Sequence, residues 1–118
     1  QNAPAPIGPY NQAVLVNGTL YISGQICIVP STGNMKNRDV QDETHQVMQN
    51  LKNILAEAGM SFDNVVKTTI FITDMNQFSE INEIYGKYFN GDFPARETVQ
   101  VSALPKFVNV EISMIAVS

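Results

Sequence analysis

Arg96, one of only two arginines in the chain, is the residue of this sequence that most clearly suggests chemistry. It follows Phe93, Pro94 and Ala95 and stands at the head of an alternating, β-rich segment. A strand has no structural need for a guanidinium at that point. A guanidinium can, however, grip a carboxylate through two parallel hydrogen bonds, which lysine does less well. Arg96 is therefore a candidate for binding a negatively charged group.

Glu111, in the next predicted strand, allows two interpretations of Arg96. The first is a plain ion pair between strands, which contributes about 0.2–1 kcal/mol when it is exposed. The second is that Arg96 holds a substrate carboxylate while Glu111 holds or activates water as a general base. The residues alone leave both interpretations open.

Other polar groups that chemistry could use are scattered along the chain. Tyr10 is either a strand-edge aromatic with its hydroxyl in water or part of a pocket. Residues 23 to 25 form either a plain strand end or a place where Gly24 lets a ligand approach backbone N–H groups. Cys27 has no histidine placed beside it, and we expect a buried structural thiol. His45 is expected on the solvated side of a helix, and no second His or Cys stands at metal-ligand spacing, so no metal site is predicted.

Composition indicates one globular domain over residues 1 to 118. Hydrophobic residues make up 44% and charged residues 15%, a low charged fraction for a surface that faces water everywhere. The net charge of -4 and the 7 scattered basic residues give no electrostatic footprint for a phosphate backbone, so nucleic acid is not an expected partner. The single cysteine excludes an internal disulfide. No stretch approaches the roughly 18 apolar residues of a membrane span, no glycine motif predicts a nucleotide cofactor, and we expect a cytoplasmic protein.

Periodicity and turn residues predict the element order ββαβαββ. Asn17-Gly18 between two apolar runs predicts a β-hairpin. A helical face over residues 40 to 58 is capped by Asp39, carries Asp42 and Glu43 in its first turn, and ends before Gly59. The remaining elements are a strand over residues 64 to 73, a helix that begins after Asp74 or Asn76, and strands over residues 96 to 101 and 108 to 117.

This order predicts an α+β fold in which both helices lie on one face of a mixed sheet, because right-handed crossovers place them there. The other face of the sheet is then uncovered. Alternation in the last strand points every second residue from Val108 to Ala116 at the helices and Glu111 at the uncovered face.

The preceding strand predicts where Arg96 points. If Val99 and Val101 meet the helices, alternation places Arg96 and Thr98 on the uncovered face with Glu111. Such a face is too apolar for water and too polar for a core. It predicts an oligomer with clefts at its interface.

Six segments stand in a fixed order along the chain: APAPIGPYNQAV, LYISGQI, NLKNILAEAGMSFDNVVKTTIFITDM, FSEINEIYGKYF, FPARETVQVSALP and VEISMIAV. In this order they resemble the Rid (YjgF-type) family of reactive-intermediate deaminases, from about residue 3 to the end. The resemblance implies a chorismate-mutase-like α+β fold. It also implies a homotrimer whose sheets form a central barrel, with active clefts between neighbouring subunits.

The resemblance further implies a reaction that needs no cofactor. Family members hydrolyse 2-imino acids such as 2-iminobutanoate and 2-iminopropanoate, tautomers of the enamines released by pyridoxal-phosphate-dependent dehydratases. The products are 2-keto acids and ammonia. The substrates and products of this protein are therefore expected to be small 2-imino and 2-keto acids.

Site residues follow from positions in the family motifs. Arg96 resembles the carboxylate-binding arginine, and Glu111 the glutamate associated with the attacking water. Tyr10 would reach the site from across a subunit interface. The rest of the pocket would come from Asn82, Ser23, Gly24 and Thr98, the last at a position where several relatives carry cysteine.

Three other functions remain as alternatives. The same trimeric clefts could bind 2-keto acids without turnover, as a regulatory protein. A ribonuclease or translation inhibitor is the second, and the net charge of -4 argues against it. A chaperone-like role of the apolar face ranks third, since a trimer would bury that face.

Overall fold

The computed structural model describes residues 11–118, which form a five-stranded sheet and two α-helices. The strands are β1 (Ala13–Val16), β2 (Thr19–Gln25), β3 (Val65–Ile72), β4 (Ala95–Gln100) and β5 (Val110–Val117), and the helices are α1 (Val40–Glu57) and α2 (Phe78–Gly86). The predicted order of elements is confirmed. Neither helix is long and apolar enough to cross a membrane.

The sheet has the strand order β1-β2-β5-β3-β4. Strands β3 and β4 run parallel, and all other neighbours run antiparallel. Both helices lie on one face, as predicted, and the core fills the space between helices and sheet. In β5 the side chains of Val110, Ile112, Met114 and Ala116 are buried there. Full burial of such side chains contributes about 1.5–3 kcal/mol each to folding, which makes this face of β5 the centre of the core.

Local signals in the sequence explain the first elements. Asn17 and Gly18 have φ angles of 50° and 80°, the two positive values that a type I′ hairpin turn requires. The side chain of Asp39 accepts a hydrogen bond of 2.7 Å from the backbone N–H of Asp42 and so caps α1. Gly59 follows the helix with φ 73°, where glycine avoids the steric cost of a Cβ.

A buried carboxylate ties α1 to the start of β5. Glu43 lies in the first turn of α1, as predicted, but its side chain is fully buried rather than exposed to solvent. It accepts hydrogen bonds from the backbone N–H groups of Asn109 and Val110 at 2.7 and 2.8 Å and from the Asn109 amide at 2.9 Å. These bonds fix the backbone immediately before Glu111.

Strand β4 presents its side chains opposite to the prediction. The parallel register pairs Thr68 with Arg96 and Ile70 with Thr98. Thr68 and Ile70 are buried beneath the helices, and paired residues of neighbouring strands share a face. Arg96 and Thr98 therefore lie on the helix face, and the prediction that placed them on the uncovered face with Glu111 is wrong.

The prediction depended on Val99 facing the helices, and the structure shows that it does not. Val99 pairs with Phe71 and is 43% exposed, so it lies on the uncovered face. That face is itself apolar, and it also exposes Tyr21 and Val117. Val99 therefore adds to the apolar surface of the uncovered face and not to the core.

Candidate active site

Helix α2 holds the guanidinium of Arg96 from one face. Phe78, Asn82 and Tyr85 are spaced by four and three residues, which brings their side chains to the same side of the helix. The Arg96 Cζ atom lies 5.5 Å from the ring centroid of Phe78 and 5.3 Å from that of Tyr85. Its Nη1 donates a hydrogen bond of 2.5 Å to Asn82 Oδ1. Two rings and one amide thus fix the orientation of the guanidinium.

Arg96 stands in the wall of an open cleft of about 420 Å³, within the usual size range of ligand pockets. We call it the arginine cleft. Among residues 11–118, no carboxylate lies within 4.0 Å of the guanidinium, so its positive charge is available to a ligand. The residues that line the arginine cleft are Asn82, Tyr85, Gly86, Phe93, Pro94 and Arg96.

Glu97 does not neutralise its neighbour Arg96. It points to the uncovered face, where its Oε2 lies 3.4 Å from Lys67 Nζ and accepts a hydrogen bond of 3.4 Å from the Thr69 hydroxyl. Neighbouring residues of a strand point to opposite faces of the sheet, which explains why Glu97 and Arg96 diverge. The carboxylate and the guanidinium are separated by the sheet itself.

Tyr85 is a site residue that the sequence did not identify. From the sequence it is only an aromatic residue of the second helix, whereas in the structure its ring contacts Arg96 and its hydroxyl donates a hydrogen bond of 3.0 Å to the Thr68 hydroxyl. Burial raises the pKa of the Tyr85 hydroxyl, and the bond to Thr68 and the charge of Arg96 oppose that rise. Tyr85 is therefore a neutral wall of the arginine cleft at physiological pH. The signal that could have found it is its spacing of three residues from Asn82.

Glu111 lies on the uncovered face, across the strand pair from Phe71. Its carboxyl group rests directly on the backbone of Gly24. A Cβ at Gly24 would stand 2.6 Å from the Cδ atom and 2.8 Å from the Cγ atom of Glu111, so the Glu111 side chain would have to move. Burial raises the pKa of the Glu111 carboxyl above its ordinary value. Gly24 thus serves here to make room for a carboxylate, a role in addition to the ligand approach that the sequence suggested.

An irregularity in β2 creates the space beside Gly24. The register against β5 shifts between Ile22 and Gln25, so the segment with Ser23 and Gly24 bulges out of the ladder. The Ser23 hydroxyl donates a hydrogen bond of 2.7 Å to the carbonyl of Asn11. Gly24 thus lies against Glu111, and Ser23 precedes it in the same bulged segment.

The predicted site residues form two groups on opposite faces of the sheet. Arg96 and Asn82 are together on the helix face, and Glu111, Ser23 and Gly24 are together on the uncovered face. Strand β3 separates β4 from β5, so the interpretation as a cross-strand ion pair between Arg96 and Glu111 is wrong. Within one copy of the chain the two groups do not share a cleft.

Thr98 lies on the same face of the sheet as Arg96 and Asn82. It is two residues after Arg96 and therefore on the same face of β4. Its hydroxyl oxygen is buried and has no hydrogen-bond partner among the residues that the structure describes. A buried hydroxyl without a partner is uncommon, and it is a group that a ligand or a second chain could satisfy.

The remaining candidates have ordinary surroundings. Cys27 is fully buried, as predicted, and burial raises the pKa of its thiol to about 11, with the carboxylate of Glu43 adding to the rise. His45 is exposed, as predicted, with its Nδ1 atom 2.9 Å from the Tyr88 hydroxyl. Within residues 11–118 no cluster of His, Cys, Asp and Glu could hold a metal ion. Tyr10 lies outside the described residues.

Comparison with known proteins places this architecture in a family. A family model described as Endoribonuclease L-PSP matches residues 1–118. The chain belongs to this family. A relative from Mus musculus, named 2-iminobutanoate/2-iminopropanoate deaminase, is 53% identical over 115 residues, which cover 98% of this chain and 85% of the relative. The resemblance to the Rid (YjgF-type) proteins is therefore confirmed.

Solved structures of the L-PSP family have the same fold. YyfA from Yersinia pestis, a protein of the conserved Rid family, matches with a TM-score of 0.96 and 53% identity, over 99% of this chain and 94% of that one. Escherichia coli TdcF with bound serine matches with a TM-score of 0.95 and 43% identity, again over 99% and 94% of the two chains. The predicted α+β fold is confirmed by both.

Proposed function

We propose that this protein hydrolyses small 2-imino acids, such as 2-iminobutanoate and 2-iminopropanoate, to 2-keto acids and ammonia. The observation that carries the proposal is the guanidinium of Arg96, held by Phe78, Tyr85 and Asn82 in the wall of an open cleft with no carboxylate partner among residues 11–118. Such a group binds the carboxylate that every 2-imino acid carries. The name of the mouse relative and the serine bound to TdcF, itself an α-amino acid, support the same substrate class.

The proposed reaction needs positioning more than strong catalysis. Arg96 binds the carboxylate and so fixes the adjacent C=N carbon relative to a water molecule. The Glu111 carboxylate accepts a proton as that water adds to the carbon. It returns this proton to the nitrogen, which gives a carbinolamine, and then carries the proton of the new hydroxyl group to the same nitrogen. The C=O double bond forms as the C–N bond breaks, and ammonia leaves with the 2-keto acid as the other product. A half-buried carboxylate with a raised pKa is suited to accepting and returning these protons.

The proposed site requires two copies of the chain. Because Arg96 and Glu111 lie on opposite faces of one sheet, a cleft that contains both must combine Arg96 of one copy with Glu111 of another. The uncovered face, which exposes Tyr21, Val99 and Val117, offers an apolar surface for that association. A cyclic homotrimer with three such clefts fits these requirements, since heterologous contacts that close form rings.

A trapping assay tests the proposed activity. An L-amino-acid oxidase generates 2-iminopropanoate or 2-iminobutanoate in the presence of semicarbazide, and an active deaminase lowers semicarbazone formation. We expect the wild type to lower it and Arg96→Ala to lose at least about 100-fold in activity, the lower end of the value of two charged hydrogen bonds. Arg38→Ala is the matched control, because Arg38 is exposed and lies 3.9 Å from Asp39. Full activity of Arg96→Ala, with a normal circular dichroism spectrum, would contradict the proposal.

RNA cleavage, which the description of the family names, is less well supported. The net charge is -4, and the side chains of Lys36, Arg38 and Lys67 each lie within 4.0 Å of a carboxylate. A phosphate backbone needs a free basic surface. Binding of RNA by the purified protein that weakens steeply with salt would favour this alternative.

A further inference from the structure

The backbone conformation at position 86 does not require the glycine that stands there. It is the last residue of α2, where glycine costs about 0.5–1 kcal/mol relative to alanine. Its φ angle is not in the left-handed region, so the backbone does not require glycine at this position. The described glycines that do have positive φ are Gly18, Gly33, Gly59 and Gly91.

Gly86 also lacks a packing reason. A Cβ built on Gly86 would meet no heavy atom within 4 Å, apart from its chain neighbours and the backbone of its own helix. Gly24 is the opposite case, because its Cβ would collide with the Glu111 carboxyl group. Alanine or a larger residue at position 86 would extend into open space.

That open space is the arginine cleft. Gly86 lines it and follows Asn82 by four residues, so the two lie on the same side of α2 with Cβ positions about 5–6 Å apart. Asn82 holds Arg96. A ligand with its carboxylate on Arg96 therefore has the open surface of Gly86 within the same cleft. Phe93 and Pro94 also line this cleft.

We propose that Gly86 sets the size of the substrate side chain that the arginine cleft accepts. Because position 86 has no side chain, the cleft has room for substrate side chains of four or more carbons, which are longer than the methyl group of 2-iminopropanoate and the ethyl group of 2-iminobutanoate. The inference rests on the proposed function for the identity of the substrate. It concerns space in the cleft, and ligand binding tests it separately from turnover.

The experiment compares a short and a long ligand on three variants. Calorimetry measures the binding of 2-oxopropanoate and 4-methyl-2-oxopentanoate, and the trapping assay measures kcat/KM for the imino acids from alanine and leucine. The variants are Gly86→Ala, Gly86→Leu and Ser79→Leu. The last is the matched control, since Ser79 is exposed on α2 and does not line the arginine cleft.

We expect Gly86→Leu to weaken binding of the long ligand by about tenfold or more relative to binding of the short one. For Gly86→Ala we expect a relative loss of about twofold to threefold. Ser79→Leu is expected to leave the ratio of the affinities for the long and the short ligand unchanged. Should Gly86→Leu not fold, the ratio measured with Gly86→Ala decides. An unchanged ratio in the folded Gly86 variants, or an equal loss for both ligands, overturns the inference. A wild type that turns over neither imino acid overturns the proposed function instead, and a changed binding ratio still supports the role of Gly86.

Discussion

At the scale of single residues, the site depends on how two charged groups are held. The Arg96 guanidinium has five N–H donors, and within residues 11–118 only Nη1 is engaged, by Asn82. The remaining donors are available to a carboxylate in a fixed orientation, since Phe78 and Tyr85 restrict the plane of the group. Glu111 is positioned differently, by the absence of a side chain at Gly24.

Substitution of Gly24 by alanine tests this position of Glu111. The added methyl group would displace the carboxyl group from the surface of β2, and we expect kcat to fall by about tenfold or more because a base out of place loses its alignment. Ser79→Ala is the control, since Ser79 is exposed on α2 and does not line the arginine cleft. In a Glu111→Gln background Gly24→Ala should cost nothing further. An unchanged kcat in Gly24→Ala would contradict this role.

The pH dependence of the reaction provides a second test at this scale. Burial raises the pKa of Glu111, and a general base acts only when it is ionised, so activity falls as the pH decreases through that raised value. We expect the acidic limb of kcat/KM above the ordinary glutamate pKa of about 4.3. Glu111→Gln should abolish the limb. A limb that persists in this variant would mean that another group titrates.

At the scale of elements, most of the fold could be predicted from local signals. Asn17-Gly18, the Asp39 cap and the Gly59 terminus each act within a few residues, and each was found where expected. The face of β4 could not be predicted in this way. Alternation shows which residues share a face, but the choice of face depends on the pairing with β3 and on the position of α2. The same holds for Tyr85, whose ring meets Arg96 only in the folded chain.

The contact between α1 and β5 makes a prediction about stability. Glu43→Ala would leave the backbone N–H groups of Asn109 and Val110 without their acceptor, at a cost of about 1–3 kcal/mol for each. Urea unfolding measures this loss. Glu43→Gln retains one acceptor oxygen, and we expect a smaller loss. Equal stability of Glu43→Ala and the wild type would show that water replaces the carboxylate without penalty.

At the scale of the whole molecule, the central feature is the separation of Arg96 and Glu111 by the sheet. No rotation of side chains brings together groups on opposite faces of one sheet. A second copy of the chain can do so, because each copy offers the arginine cleft on one side and Glu111 on the other. Activity is therefore expected to be a property of the assembly, with each proposed cleft shared between two copies.

Complementation between two inactive variants tests this claim most directly. Arg96→Ala and Glu111→Gln are each purified, then unfolded together in equal amounts, refolded and assayed by semicarbazide trapping. If sites form between copies, some sites combine the intact Arg96 of one variant with the intact Glu111 of the other. Random assembly predicts that about a quarter of the sites recover, and the activity should then be about a quarter of that of the wild type. Two variants that are each inactive alone and remain inactive after mixed refolding, with normal assembly, would show that the site does not combine these residues across copies.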